Sequence, residues 1–100
     1  MTQHLVKKQP DLYQVVGDLT FDTVAGYEKE GFVVMDSVGK SLTIDFSGVT
    51  KVSSAALALL LSWMRHARKE GIDLKFGGFS ERFQAILNIS DLADVIPLSS

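Results

Sequence analysis

The sequence predicts an α/β domain built around a single, partly parallel sheet. Three observations carry this prediction. Short runs of alternating apolar and polar residues recur at Tyr13–Val16, Ser41–Phe46 and Ile72–Phe76. A long, mostly apolar helical stretch, "AALALLLSWMRHARKE", lies between the last two runs. Strand-like and helix-like segments then alternate to the end of the chain, and that order requires parallel neighbours in the sheet.

Taken in order, His4–Lys8 gives a short first strand limited by Pro10, and Tyr13–Val16 gives a second that stops at Gly17-Asp18. Thr20 is placed to cap a helix over about 21–37, with Phe21, Val24, Glu28, Phe32 and Met35 near helical spacing and Asp22 suited to the first turn. Gly26 and Gly31 weaken that helix. Ser41–Phe46 is the next strand, and Val49–Val52 is a short connection to the central helix, which ends at Gly71. Ile72–Phe76 is a strand closed by Gly77-Gly78. Ser80 caps a last helix with Phe83, Ile86 and Leu87 inward, and Val95-Ile96 adds a short final strand before Pro97. Three helices on so few strands leave one sheet face less covered.

Composition narrows the function. One hundred residues suit one small domain spanning 1–100, and 46% hydrophobic with 22% charged residues is ordinary for a globular chain. A net charge of -2 gives no general reason to bind nucleic acid. The absence of cysteine excludes disulfides, thiolate catalysis and cysteine-based metal sites. "MTQHLVKKQPDLYQ" has no apolar core of a secretory signal, and the apolar run Ala55–Leu61 is far short of the roughly 20 residues that span a bilayer. The expectation is a cytoplasmic domain without direct membrane insertion.

The two serines ahead of the central helix, Ser53 and Ser54, invite four readings: nucleophile, phosphorylation switch, helix cap or docking contact. On a wheel of about 100° per residue, Leu57, Leu60, Leu61 and Met64 fall together, with Ala56, Trp63 and Ala67 beside them, as the core face. Ser54, Ala55, Ala58, Ser62, Arg65, His66 and Lys69 fall on the other side, with Leu59 at the border as an apolar contact. That second face is small and flat in its first half and basic in its last turn and a half. A solvated face with cations at the helix C-terminus accounts for this pattern. A docking face that lets another protein approach closely accounts for it as well, and for the shortage of glutamate and lysine.

No catalytic constellation is present. A serine nucleophile needs a base and an oxyanion site, and Ser53 and Ser54 have neither in evidence. His4 lies near a terminus; His66 sits among Arg65, Arg68 and Lys69 with no sequence-evident carboxylate partner. A nucleophile elbow, a phosphate-cradling glycine loop and a zinc-protease helix motif are all missing. Asp18 and Asp22 are accounted for by a turn and a helix start. No cofactor is implied.

The element order and the stretch "LTIDFSGVTKVSSAALALLLSWMRHARKEG" resemble the STAS domain, a family that includes anti-sigma-factor antagonists, sulfate-transporter tails and small bacterial regulators. Within it, "GDLTFDTV" and "ALALLLSWMRHARKEG" are most similar to the cytoplasmic STAS subunits of Mla-type ABC transporters of Gram-negative bacteria. The resemblance implies the STAS fold, a single mixed four- to five-stranded sheet flanked by about three helices, that works by protein contact rather than chemistry. It implies an ABC-transporter ATPase subunit as partner, on a transporter moving phospholipids between membranes. The docking surface in those relatives is centred on the start of the central helix, where a threonine matters; that position matches Ser54. The expected contact set is therefore Ser53, Ser54, Ala55, Ala58, Leu59, Ser62, Arg65, His66 and Lys69.

The phosphoswitch branch of the family carries D-S-S-G-L here, with the second serine phosphorylated. Alignment on Leu57 puts that acceptor at Ala55 and the aspartate at Ser53, so the motif gives no support for phosphorylation. The D-T-G-G-L of typical Mla subunits is also altered, with serine and alanines replacing aspartate and glycines. The alternative function is an anti-sigma-factor antagonist switched by serine phosphorylation.

Overall fold

Leu42, Ile44 and Phe46 alternate with Thr43 and Asp45, so one face of their strand is apolar, and all three are buried. The computed structural model describes residues 4–98, leaving Met1 to Gln3, Ser99 and Ser100 outside the description. The elements are β1 (His4–Gln9), β2 (Leu12–Leu19), α1 (Val24–Val38), β3 (Ser41–Val52), α2 (Ala55–Glu70), β4 (Asp73–Gly77) and α3 (Glu81–Ile89). The sheet order is β1-β2-β3-β4; β1 is antiparallel to β2, and the β2–β3 and β3–β4 pairs are parallel. The mixed sheet and three helices are those predicted.

Val15, Leu42, Ile44, Phe46, Leu74 and Phe76 form the buried face of the sheet, and the helices supply Tyr27, Met35, Leu60, Trp63, Phe83 and Leu87 to the same core. Phe46 sits at its centre, 5.5 Å edge-on from Phe76 and 5.2 Å edge-on from Phe83, which seats α3. On the opposite face Gln14, Thr43 and Asp45 are half-buried, while Asp73 and Lys75 are exposed. One sheet face is thus left open, as the ratio of helices to strands suggested.

Several boundaries differ from expectation. β2 does not stop at Gly17; the parallel ladder to β3 continues through it with a register shift between Gly17 and Asp18, which marks a bulge. Val49–Val52 belongs to β3, because Val49, Lys51 and Val52 pair with Gly17, Asp18 and Leu19. The first helix starts at Val24, after a turn in which Thr23 and Val24 donate their N–H groups to the Thr20 carbonyl. Phe21 therefore leaves the buried stripe and is 76% exposed. The last strand-like contact is made by Leu98, bridged in parallel to Phe76, while Val95-Ile96 forms no strand.

The buried arc of α2 is also rotated from the predicted one. Ala55, Ala56, Leu59, Leu60, Trp63 and Ala67 are buried, whereas Leu57, Leu61 and Met64 are only half-buried. The cause is α1, which packs beside α2 as well as over the sheet. Trp63 is fully buried where the helices cross, its indole N–H donating to the Glu28 carbonyl at 3.3 Å. A Cβ on Gly31 would lie 2.2 Å from that indole nitrogen, so the glycine that weakens α1 locally is what lets the two helices meet.

Candidate functional site

The start of α2 is fixed from the sheet. The Ser53 N–H donates to the Leu19 carbonyl at 2.9 Å, tying the end of β2 to the helix entry. Ser53 Oγ accepts from the Ala55 N–H at 3.2 Å, so it satisfies one of the orphan donors of the first turn. Ser54 is the N-cap residue, is exposed, and makes no side-chain cap bond. Ser54 thus has no described side-chain bond, while the Ser53 hydroxyl is engaged.

Of the nine residues predicted to form the contact set, Ser54, Ala58, Arg65 and Lys69 are exposed, and Ser53, Ser62 and His66 are half-buried. Ala55 and Leu59 are buried at 5% and 3% exposure, so they shape the face from beneath rather than lining it. The wheel put Ala55 outside and Leu59 at the border because it counts one apolar arc, whereas α2 has both the sheet and α1 to cover. The apolar border instead lies on the opposite flank, where Leu57 and Leu61 are half-exposed beside Ser54 and Arg65.

Two of the polar side chains are held by α1. Ser62 Oγ donates to Glu28 Oε2 across the helix pair. His66 Nε2 lies 3.0 Å from Asp36 Oδ1, and its ring stacks on Phe32 with centroids 4.4 Å apart. The carboxylate partner of His66 comes from 30 residues away, which no local pattern discloses. Arg65 and Lys69 form no ion pair among the described residues. Between the helices Val24, Ala25, Glu28, Ala58 and Leu59 line a shallow hollow of about 170 Å³.

This surface has small residues at its centre and cations at one end. Among the described residues no three histidine, aspartate or glutamate side chains gather as a metal site. Asp18, read from the sequence as a turn residue, accepts from Thr50 Oγ1 through its side chain and from Thr23 Oγ1 through its carbonyl. No described helix is long and apolar enough to cross a membrane.

A mixed sheet with this order, and a helix entry carrying the exposed serine, define an STAS-type domain. Residues 7–98 match the family described as "Mlab, STAS domain", and the chain belongs to that family. Its fold is shared by the anti-sigma factor antagonist SpoIIAA in its unphosphorylated form, with a TM-score of 0.73, 13% identity, and coverage of 99% of this chain and 89% of that one. An anti-sigma factor antagonist from Mycobacterium paratuberculosis aligns with a TM-score of 0.72 and 18% identity over 97% of this chain and 83% of its own. No curated protein matches the chain in sequence at a significant level.

Proposed function

We propose that this chain is a non-enzymatic accessory subunit that binds the ATPase subunit of an Mla-type ABC transporter. In that role it supports assembly and activity of a transporter engaged in intermembrane phospholipid transport, and so outer-membrane lipid asymmetry. The observation that carries the reading is membership of the MlaB-like STAS family joined to an exposed serine, Ser54, at the entry of α2, where the resemblance to Mla-type subunits puts the docking surface. Ala58 keeps that face flat, Leu57 and Leu61 give it an apolar border, and Arg65 and Lys69 offer unpaired cations at the far end. Ser53, Ser62 and His66 hold the face in shape through their bonds to the backbone and α1. The chain would sit in the cytoplasm, at the membrane only through its partner.

Pull-down of the cognate ATPase subunit tests this directly. Wild type is expected to capture it, and a folded Ser54→Arg, Ala58→Glu double variant is expected to lose capture and transport. Retention of both by the double variant would show that the partner docks elsewhere.

A second reading, an anti-sigma-factor antagonist switched by phosphorylation, is favoured by the accessible Ser54 hydroxyl at a helix N-terminus. A phosphate there would add about −1.5 to −2 charges at a site that tolerates anions, and would block a flat interface. Against it, the family acceptor position is Ala55, which has no hydroxyl and is buried. Mass spectrometry of protein from cells separates the readings: phosphate on Ser54 or Ser53 supports the switch, and its consistent absence rejects it.

A further inference from the structure

Further along the seam between α1 and α2, Phe32, Ser62, Arg65, His66 and Lys69 line a second hollow of about 210 Å³. Three of these side chains are committed to the fold: Ser62 donates to Glu28, and His66 is held by Asp36 while its ring stacks on Phe32. Arg65 and Lys69 are not. Both are exposed, and neither forms an ion pair or a side-chain hydrogen bond among the described residues. None of the acids of α1 and α2 lines this hollow. Glu28 lines the one beside Ala58, Glu30 accepts from the Leu5 N–H, and Asp36 and Glu70 line a third with Met35 and Ile72. The helix dipole accounts for a cation in the last turn, and so for Lys69. Arg65 lies a turn earlier, beyond the reach of that effect.

We propose that this hollow is a carboxylate-binding site, filled by an aspartate or glutamate side chain of the docked ATPase subunit. This rests on the function proposed above and names the contact at the far end of the docking face. Arg65 and Lys69 stand one helical turn apart, with Cβ atoms about 5–6 Å from each other, so one carboxylate can meet both. The guanidinium offers two parallel N–H donors to the two oxygens, and the lysine adds a point charge. The Phe32–His66 stack, with centroids 4.4 Å apart, gives the stem of the incoming side chain a wall of rings. Size limits the occupant to about one side chain, since pockets for drug-sized ligands run to roughly 300–1,000 Å³. Charge limits it too: the negative end of the α2 dipole is close by, which suits a monoanion better than a phosphate dianion.

The test is the affinity of the purified cognate ATPase subunit for the full chain, measured by calorimetry at several salt concentrations. Arg65→Ala is expected to weaken binding by roughly 30-fold or more, and Lys69→Ala by less. Arg68→Ala removes an exposed cation of the same helix that lines a different hollow, and it should stay within about threefold of wild type. All three sites are exposed, so the variants should fold, and an unchanged melting temperature checks this. Arginine substitutions at the exposed acids of the ATPase subunit, tried against Arg65→Glu, should include one that restores binding and so names the contacting acid. If none restores it, the hollow takes no side-chain carboxylate and the proposal fails. Binding of the Arg65→Ala, Lys69→Ala double variant within about threefold of wild type, with Ala58→Glu still disruptive, overturns the site and leaves the docking face standing. An equal loss in Arg68→Ala points to diffuse charge attraction and overturns it as well. No binding by wild type overturns both readings. If the double variant loses only binding to phosphatidylglycerol vesicles, the hollow serves a lipid headgroup and the carboxylate site is overturned.

Discussion

At the scale of single residues, neighbours on one helix divide sharply between core and surface. Leu59 and Leu61 have the same side chain two positions apart, yet Leu59 is 3% exposed and Leu61 half-buried. Leu59→Ala should cost about 2–5 kcal/mol by losing buried contacts and leaving a cavity. Leu61→Ala should cost roughly 1 kcal/mol or less, because much of its surface already meets water. Urea denaturation of the two variants checks this, and equal losses would show that the buried arc is drawn wrongly. Ser54→Arg and Ala58→Glu belong with Leu61: both sites are exposed and make no described side-chain bond, so each should change stability by about 0.5 kcal/mol at most. Loss of partner binding in those variants would then report the surface and not the fold. Phe21 shows what a single residue can conceal. Its spacing from Val24 and Glu28 reads as a helical stripe, and only the turn at Thr20–Thr23, closed by the Thr23 hydroxyl on the Thr20 N–H and the Asp18 carbonyl, leaves the ring exposed.

At the scale of elements, the α1–α2 pair is held by packing more than by charge. Gly31 lies under the fully buried Trp63 indole, and a methyl group there would come within 2.2 Å of a ring that has no room to shift. Gly31→Ala should therefore lower stability by about 1–3 kcal/mol through overpacking, outweighing the roughly 0.5–1 kcal/mol gained from helix propensity. A gain in melting temperature would mean that the helices can separate at no cost. The His66–Asp36 pair is a weaker tie, since the Asp36 side chain is 59% exposed. A double-mutant cycle with His66→Ala and Asp36→Ala should return a coupling of about 0.2–1 kcal/mol, lower at high salt. The inner strands and their faces were legible because Leu42, Ile44, Phe46, Leu74 and Phe76 obey a strict two-residue alternation. Their ends were not, since Val49–Val52 owes its strand conformation to pairing with Gly17–Leu19 rather than to its own pattern. The rotation of α2 was hidden for the same kind of reason: Ala55 reads as flat exterior and Leu59 as a border contact until a second helix is packed against them.

At the scale of the whole molecule, one core joins every layer. Trp63 touches the ring system of Phe46 and Phe76 in the sheet while covering Gly31 of α1, so helices and strands should unfold together. The C-terminal segment is part of that unit. Ile96 is 5% exposed, the Phe76 N–H donates to the Pro97 carbonyl at 2.7 Å, and Leu98 bridges to Phe76 in parallel. This tail adds one isolated bridge to the β4 edge, so the sheet has four strands, the lower of the two counts the resemblance implies, and the short strand expected at Val95-Ile96 is absent. Removing residues 96–100 should cost about 2–5 kcal/mol for the Ile96 side chain and a further 0.5–1.5 kcal/mol or so for the lost hydrogen bond. In a domain of this size that is a fall of at least about 10 °C in melting temperature. Leu98→Ala separates the two contributions of the tail, because the Leu98 side chain is 56% exposed while its backbone does the pairing. It should shift the midpoint by only a few degrees, about 4–8 °C per kcal/mol lost. Trp63 fluorescence and far-ultraviolet circular dichroism should report the same midpoint in both variants. A truncated chain that melts near wild type would place the tail outside the cooperative core, and separate midpoints for the two signals would show that α2 and the sheet do not unfold as one.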